Sequence, residues 1–340
     1  NDISCGGPLG DVDLLSTAEE AAPFMMLSDD VFTPIINFNN PLSHPVPFGR
    51  GTDYWLIVTS DGELVLRGDG EKVLDVFSRQ LAPDARVVIS ENGLIAVYAA
   101  ATDQRYVHGI MGDDLEPTEL WVFRIEDKKL EEVAHVALSG DAVFEGISPF
   151  WADIDEDGTP DLVTTVSDST GGARLRAYLM REDGLHPVDG PAIGRAYRWR
   201  HQLAFGPFGP NGEMELIDVL TPHIGGVVEW FRYQDGALVR VASLSGYTSH
   251  VINTRNLDMA VAGDFNGDGL PEVVLPNQER TALSGIQRTA DGAEVVWTLP
   301  LEGRLSSNLA ALTLEDGNLM LAAGLDDGRI RVWLPEVGGD

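Results

Sequence analysis

A single cysteine, Cys5, stands in a chain of 340 residues. No disulfide can form within it, so stability has to come from packing or from bound ions. Positive charge is also scarce: 23 Lys and Arg face 54 Asp and Glu, a formal net charge of −31. Sequence-independent binding to nucleic acid or to an anionic membrane surface needs clustered cations, so neither is an expected partner. No apolar run approaches the roughly 18 residues that a membrane-spanning helix requires.

Turn formers and apolar residues are what the chain has in quantity. Gly numbers 37 and Pro 19, and hydrophobic residues make up 44%. Frequent turns combined with enough apolar surface for a core point to many short strands. Residues 1–30 are set apart as an acidic extension, in which Ser16 and Glu19 have the spacing of a capping box on a short helix. Residues 31–340 are expected to form one domain. Around Cys5, Asp2 stands where a lipidation signal wants Leu, so a free or partner-linked thiol is expected rather than a lipid anchor.

One unit recurs along the chain: an apolar strand, a tight glycine turn, a second apolar strand, then two more strands. Phe150–Asp153, Gly158 and Asp161–Val166 make one copy; Ala260–Asp264, Gly269 and Glu272–Leu275 make another. The turn glycines fall at 51, 93, 158, 212, 269 and 317, with gaps of 42 to 65 residues. Radial repetition of four-stranded units is the signature of an all-β β-propeller. Six blades are anchored by these glycines, and a seventh is possible if residues 30–46 hide one. The last unit runs out after Trp333–Leu334, one strand short. The segment Val31–Phe38 is expected to supply that outer strand and close the ring, protecting the sheet edge. Gly171–Gly172 and Gly225–Gly226 read as hairpin turns.

Two of the glycine turns carry a ladder of oxygen donors. Asp153, Asp155, Asp157 and Asp161 stand at positions 1, 3, 5 and 9 of a loop with Gly158 at position 6, and the Thr159 carbonyl is available at position 7. Asp264, Asn266, Asp268 and Glu272 repeat the pattern 111 residues later, with Gly269 and the carbonyl of Leu270. Alternating oxygens around a glycine turn suit a hard cation, Ca²⁺ before Mg²⁺, and the lack of Cys and His argues against Zn²⁺. The plain alternative is a pair of acidic β-turns. On these residues the chain resembles the FG-GAP/VCBS repeat family, the calcium-loop propeller blades of integrin α-subunits and many secreted bacterial proteins. The resemblance implies two structural Ca²⁺ sites on the ten oxygen-donating residues just named, the two glycines aside. It also makes a periplasmic or extracellular location the expectation, with any signal peptide already removed. The other four units lack the carboxylate ladder and are expected to hold no ion. A propeller fold does not by itself imply an activity.

In a propeller, the loops entering each blade and those between its second and third strands share one face. That scheme gathers Tyr106, His108, Tyr197, Trp199, Arg200, His201, His223, Tyr247, His250, Arg255 and Arg280 on one side. Three readings stand. These side chains could simply pair with carboxylates between blades. They could bind a protein partner or a glycan, with Tyr197, Trp199, Tyr247 and Trp230 stacking on it. Or His201, His223, His250, Tyr247 and Arg255 could form the acid, base and guanidinium of a polysaccharide-lyase-like enzyme. No serine elbow, zinc-type histidine cluster or phosphate-cradling loop is present.

Overall fold

The computed structural model describes residues 4–5, 43–48, 54–68, 72–315 and 317–334. The expected closing segment Val31–Phe38, the Ser16 cap and nearly all of residues 1–30 lie outside them. The described residues form strands joined by turns and loops, with no α-helix and no helix long and apolar enough to cross a membrane.

The short strand β1 (Ser4–Cys5) is followed by six antiparallel sheets in chain order. Blade one contains β2 (Val46–Phe48), β3 (Tyr54–Val58), β4 (Glu63–Gly68) and β5 (Val73–Ser78). Blade two contains β6 (Val88–Ile89), β7 (Ile95–Ala99), β8 (Glu119–Glu126) and β9 (Lys129–Ala137). Blade three has an interrupted first strand, β10 (Val143–Phe144) and β11 (Phe150–Ala152), both paired with β12 (Asp161–Asp168), then β13 (Gly172–Arg181) and β14 (Gly184–Asp189). Blade four contains β15 (Arg200–Gly206), β16 (Glu215–Leu220), β17 (Val227–Gln234) and β18 (Ala237–Ser245). Blade five contains β19 (Val261–Gly263), β20 (Glu272–Pro276), β21 (Ala282–Thr289) and β22 (Gly292–Pro300). Blade six has three described strands, β23 (Leu305–Thr313), β24 (Leu319–Leu325) and β25 (Ile330–Trp333). This is the six-bladed propeller that the glycine spacing anticipates. Strand β1 lies antiparallel to β15, opposing Ser4 to Phe205 and Cys5 to Ala204, beside the first strand of blade four.

The turn glycines stand between the first and second strands because the chain must reverse there through φ > 0, which costs an L-residue with a Cβ. Gly93, Gly158, Gly212, Gly269 and Gly317 have φ between 81° and 88°. Second strands rich in Val, Ile, Leu and Thr fit a pleated surface covered on both sides. Accordingly β12 and β20 are almost wholly buried, while the outer strands β9 and β22 alternate toward solvent. Successive outer strands touch one another, from β5 through β9, β14 and β18 to β22. Five apolar clusters fill the five successive blade interfaces from one–two to five–six, for example Phe205, Leu216 and Phe231 with Leu175 and Val188 between blades three and four.

Candidate metal loops and a candidate binding face

On one side of the ring lie the turns between first and second strands. In blade three, carboxylate oxygens of Asp153, Asp155 and Asp161 lie within 4.8 Å of one another; in blade five, those of Asp264, Asp268 and Glu272 do. Asx-type bonds shape each loop. Asp153 accepts from the Asp157 and Gly158 N–H groups at 3.0 and 2.9 Å, and Asp264 accepts from Gly267, Asp268 and Gly269 at 2.7–3.1 Å. Asp161 accepts from Ile154 and Met180 N–H, and Glu272 accepts from Phe265 N–H. Burial pushes Asp161 up to about 6 and Glu272 up to about 7, the cost of an anion in a dry place.

The structure refines the expected ligand sets. Asp157 stands outside the first cluster: its carboxylate accepts from Thr159 N–H at 2.7 Å and from Arg181 at 3.0 Å. Arg181 also holds Asp155. In the second loop Asn266 accepts from Asp268 N–H, and Gln287 donates to Asp268 and, at 3.4 Å, to the Leu270 carbonyl. Arg181 and Gln287 carry no local signal, because they arrive from the third strand of the blade through strand register.

Blade four shows what the buried position requires. Glu215 opens β16 as Asp161 opens β12 and Glu272 opens β20, each three residues after its turn glycine and each 0% exposed. Glu215 is neutralised by Arg232 (2.8 Å) and by Arg288 of the next blade (2.9 Å). In the other two blades one carboxylate oxygen per loop, Asp155 Oδ1 and Glu272 Oε1, is buried with no hydrogen-bond partner among the described residues. An oxygen-only donor set with an unsatisfied buried carboxylate oxygen fits a hard cation. The spacing Gly158–Asp161, Gly212–Glu215 and Gly269–Glu272 was present in the sequence and would have revealed Glu215.

The opposite side of the ring carries the long loops. Loop 246–260 reaches across to loop 79–87 and loop 100–118: Asn253 N–H donates to the Ile110 carbonyl (2.9 Å), Arg86 clamps Asp258 at 2.8 and 3.1 Å, and Arg255 binds Asp84 and Asp113. Ile110, Met111, Ile147 and Trp199, with Leu257 packed against them, form an apolar plug under these bonds. Beneath Tyr197, Glu145 is buried and binds His108 and Ser167, while Tyr106 stacks on Tyr197 at 5.0 Å.

Most aromatic residues expected to stack on a ligand are inside. Trp230 is 0% exposed between blades four and five, Trp199 is 2% exposed with its Nε1–H on the Glu145 carbonyl, and Tyr247 is 8% exposed. Blade packing buries Trp230 and the loop plug buries Trp199, neither visible in local sequence; Tyr197 alone among them is open, at 53%. Arg200 is likewise buried, bound to Asp218 (2.7 Å) and Glu229 (2.6 Å).

The three expected histidines do converge, around Trp199. His201 stacks on it at 4.7 Å and His223 at 5.8 Å, and His250 meets it edge-on at 5.1 Å. His250 Nε2 lies 2.8 Å from the Thr254 carbonyl, which only accepts, so it carries the proton. Its Nδ1 therefore accepts from His223 Nε2–H at 2.8 Å. His201 Nδ1 pairs with the buried Ser249 hydroxyl. Burial pulls His223 and His250 down to about 4 and His201 well below its usual value. They are neutral near pH 7, and the chain of bonds ends on a backbone carbonyl. Tyr247 is buried, and Arg255 is held by Asp84 and Asp113.

No protein-family model matches the sequence, and no curated protein does. Among solved structures, the Dos1 propeller is similar at 11% identity, covering 86% of this chain and 67% of that one, with a TM-score of 0.53. Chaetomium thermophilum Sqt1, bound to the N-terminus of ribosomal protein L10, is similar at 15% identity, covering 86% and 71%, with a TM-score of 0.51. At these identities the likeness is one of fold.

Proposed function

We propose that this chain is a binding and assembly module for a protein partner, received on the face built by loops 190–199, 221–226 and 246–260. The observation that carries this reading is a rigid, plugged loop face from which Tyr197, Ile224 and Ile252 stand 53%, 62% and 52% exposed. Exposed apolar side chains on a preorganised platform are what an interface core is made of. Ca²⁺ in the loops of blades three and five pins the turns on the other side, in the manner of the FG-GAP/VCBS blades that the motifs resemble. Export fits that metal. The test is a photo-crosslinking residue at Ile224, with a second at Asp235 on the opposite face. A protein captured only from Ile224 supports the reading; none from either, or equal capture from both, overturns it. The glycan reading is favoured instead by a groove of about 630 Å³ beside blades two and three, lined by Asp141, Asp168, Arg174, Arg176 and Tyr178. Soaking with neutral oligosaccharides and reading Tyr178-dependent retention decides it.

A further inference from the structure

The loop face is electrically divided. In a chain with 54 acidic residues, loops 190–199 and 221–226 contain no Asp or Glu, and loop 246–260 contains only Asp258. Across the ring, loop 79–87 holds Asp84, loop 100–118 holds Asp103, Asp113, Asp114 and Glu116, and loop 138–149 holds Asp141 and Glu145. In the acidic half Arg105 donates to the Leu138 and Ala142 carbonyls. Arg86 and Arg255 bridge the two halves, Arg86 to Asp258 and Arg255 to Asp84 and Asp113. By contrast, Arg195, Arg198, Arg280 and Arg304 make no ion pair among the described residues. Arg198 donates to the Tyr197 carbonyl and Arg280 to the Leu305 carbonyl.

Four acids lie in or beside this sector: Asp258 is clamped by Arg86, Glu302 pairs with Arg331, Asp326 accepts from the Arg304 backbone N–H, and Glu279 stands exposed beside Arg280. Arg280 is pushed down from its usual value by burial and by the like charge of Arg304, with Asp326 partly opposing the shift. Four guanidiniums of a chain this acidic thus lack an ion-pair partner among the described residues and are open to the carboxylates of another protein.

The sector is also continuous and stiff. Thr221 N–H donates to the Trp199 carbonyl (2.8 Å), Gly246 N–H to Gly226 (2.9 Å), Gln278 N–H to Gly246 (3.2 Å) and Leu305 N–H to Arg280 (2.8 Å). Tyr197 and Arg280 are held at φ of +55° and +59°, a conformation that costs free energy and that recurs where loops are shaped for binding.

We propose that the sector from Tyr197 to Arg304 receives an acidic segment of a partner protein, its carboxylates on Arg195, Arg198, Arg280 and Arg304 and an apolar side chain against Tyr197, Ile224 and Ile252. This rests on the binding-module reading and adds the chemistry of the partner.

The test uses the full chain and two fluorescein-labelled twelve-residue peptides, one repeating Glu-Asp-Phe and the other Lys-Arg-Phe, read by anisotropy. The acidic peptide binds, and binding weakens about tenfold when all four arginines become Gln and falls with added salt. Converting Arg280 and Arg304 to Glu shifts preference toward the basic peptide, a gain that misfolding cannot mimic. Equal binding of both peptides, no binding of the acidic one, or indifference to the four substitutions overturns the proposal. A partner crosslinked at Ile224 through a basic segment also overturns it while leaving the module reading intact; absence of any crosslink removes the module reading itself.

Discussion

Glu215 shows how much one buried charge depends on its neighbours. It is fully buried and held by Arg232 and Arg288, so Glu215→Gln leaves two guanidiniums facing a neutral amide. Removing one member of such a group costs about 3–5 kcal/mol. Chemical denaturation of the variant checks this, and loss of less than ~1 kcal/mol would contradict it. The histidines make a second prediction. In the unfolded chain they protonate near 6.5, but His223 and His250 do so near 4 when folded. Between those values the unfolded state binds more protons, so their contribution is full above 6.5 and is lost as pH falls toward 4. Asp218, pushed up to about 7 by burial, acts in the opposite sense over part of that range. The measurement is therefore a comparison: urea midpoints from pH 7.5 to 4.5 should fall less steeply in His223→Gln than in the unaltered chain.

At the scale of the element, glycine serves two separate ends. Gly212 has φ of +81° with open space where a Cβ would go, so Gly212→Ala tests backbone strain alone and should cost about 1–2 kcal/mol. Gly285, in β21, has no such φ, yet a Cβ there would lie 2.1 Å from the indole of Trp297 on β22. Gly285→Ala should destabilise by about 1–3 kcal/mol through overpacking, and Trp297→Leu in the same chain should recover part of that loss. Thermal melts of the two single variants and the double variant separate the mechanisms. The turn glycines were legible in the sequence because backbone conformation is a local demand. The role of Gly285 was not, because it is set by which residue of β22 comes to lie across from it.

For the whole molecule, five apolar interfaces join six blades in series, and two of the blades carry a carboxylate cluster that could hold a metal ion. Ca²⁺ that binds only the folded chain stabilises it by mass action, about 2.7 kcal/mol per site at a hundred times the dissociation constant. Calorimetry should count two sites. Chelation should lower the melting temperature by several degrees, and the paired change Asp155→Asn with Asp268→Asn should remove that dependence. A melting temperature indifferent to Ca²⁺ would leave the loops as acidic turns.

The amino-acid sequence by itself determined the repeat and the acid-bearing turns, and anchored six blades while leaving a seventh open, since each follows from residues close together in the chain: a glycine where φ must be positive, alternating oxygens around it, and an apolar strand behind. Only the tertiary structure decided what those residues meet. Arg181 and Gln287 enter the metal loops through strand register, Arg288 crosses from one blade to another to reach Glu215, and loops 100–118 and 246–260 close over Trp199 and the three histidines. The division of the loop face into an acid-rich and an acid-poor half also became visible only there, because it joins loops that are far apart in sequence and adjacent only once the ring has formed.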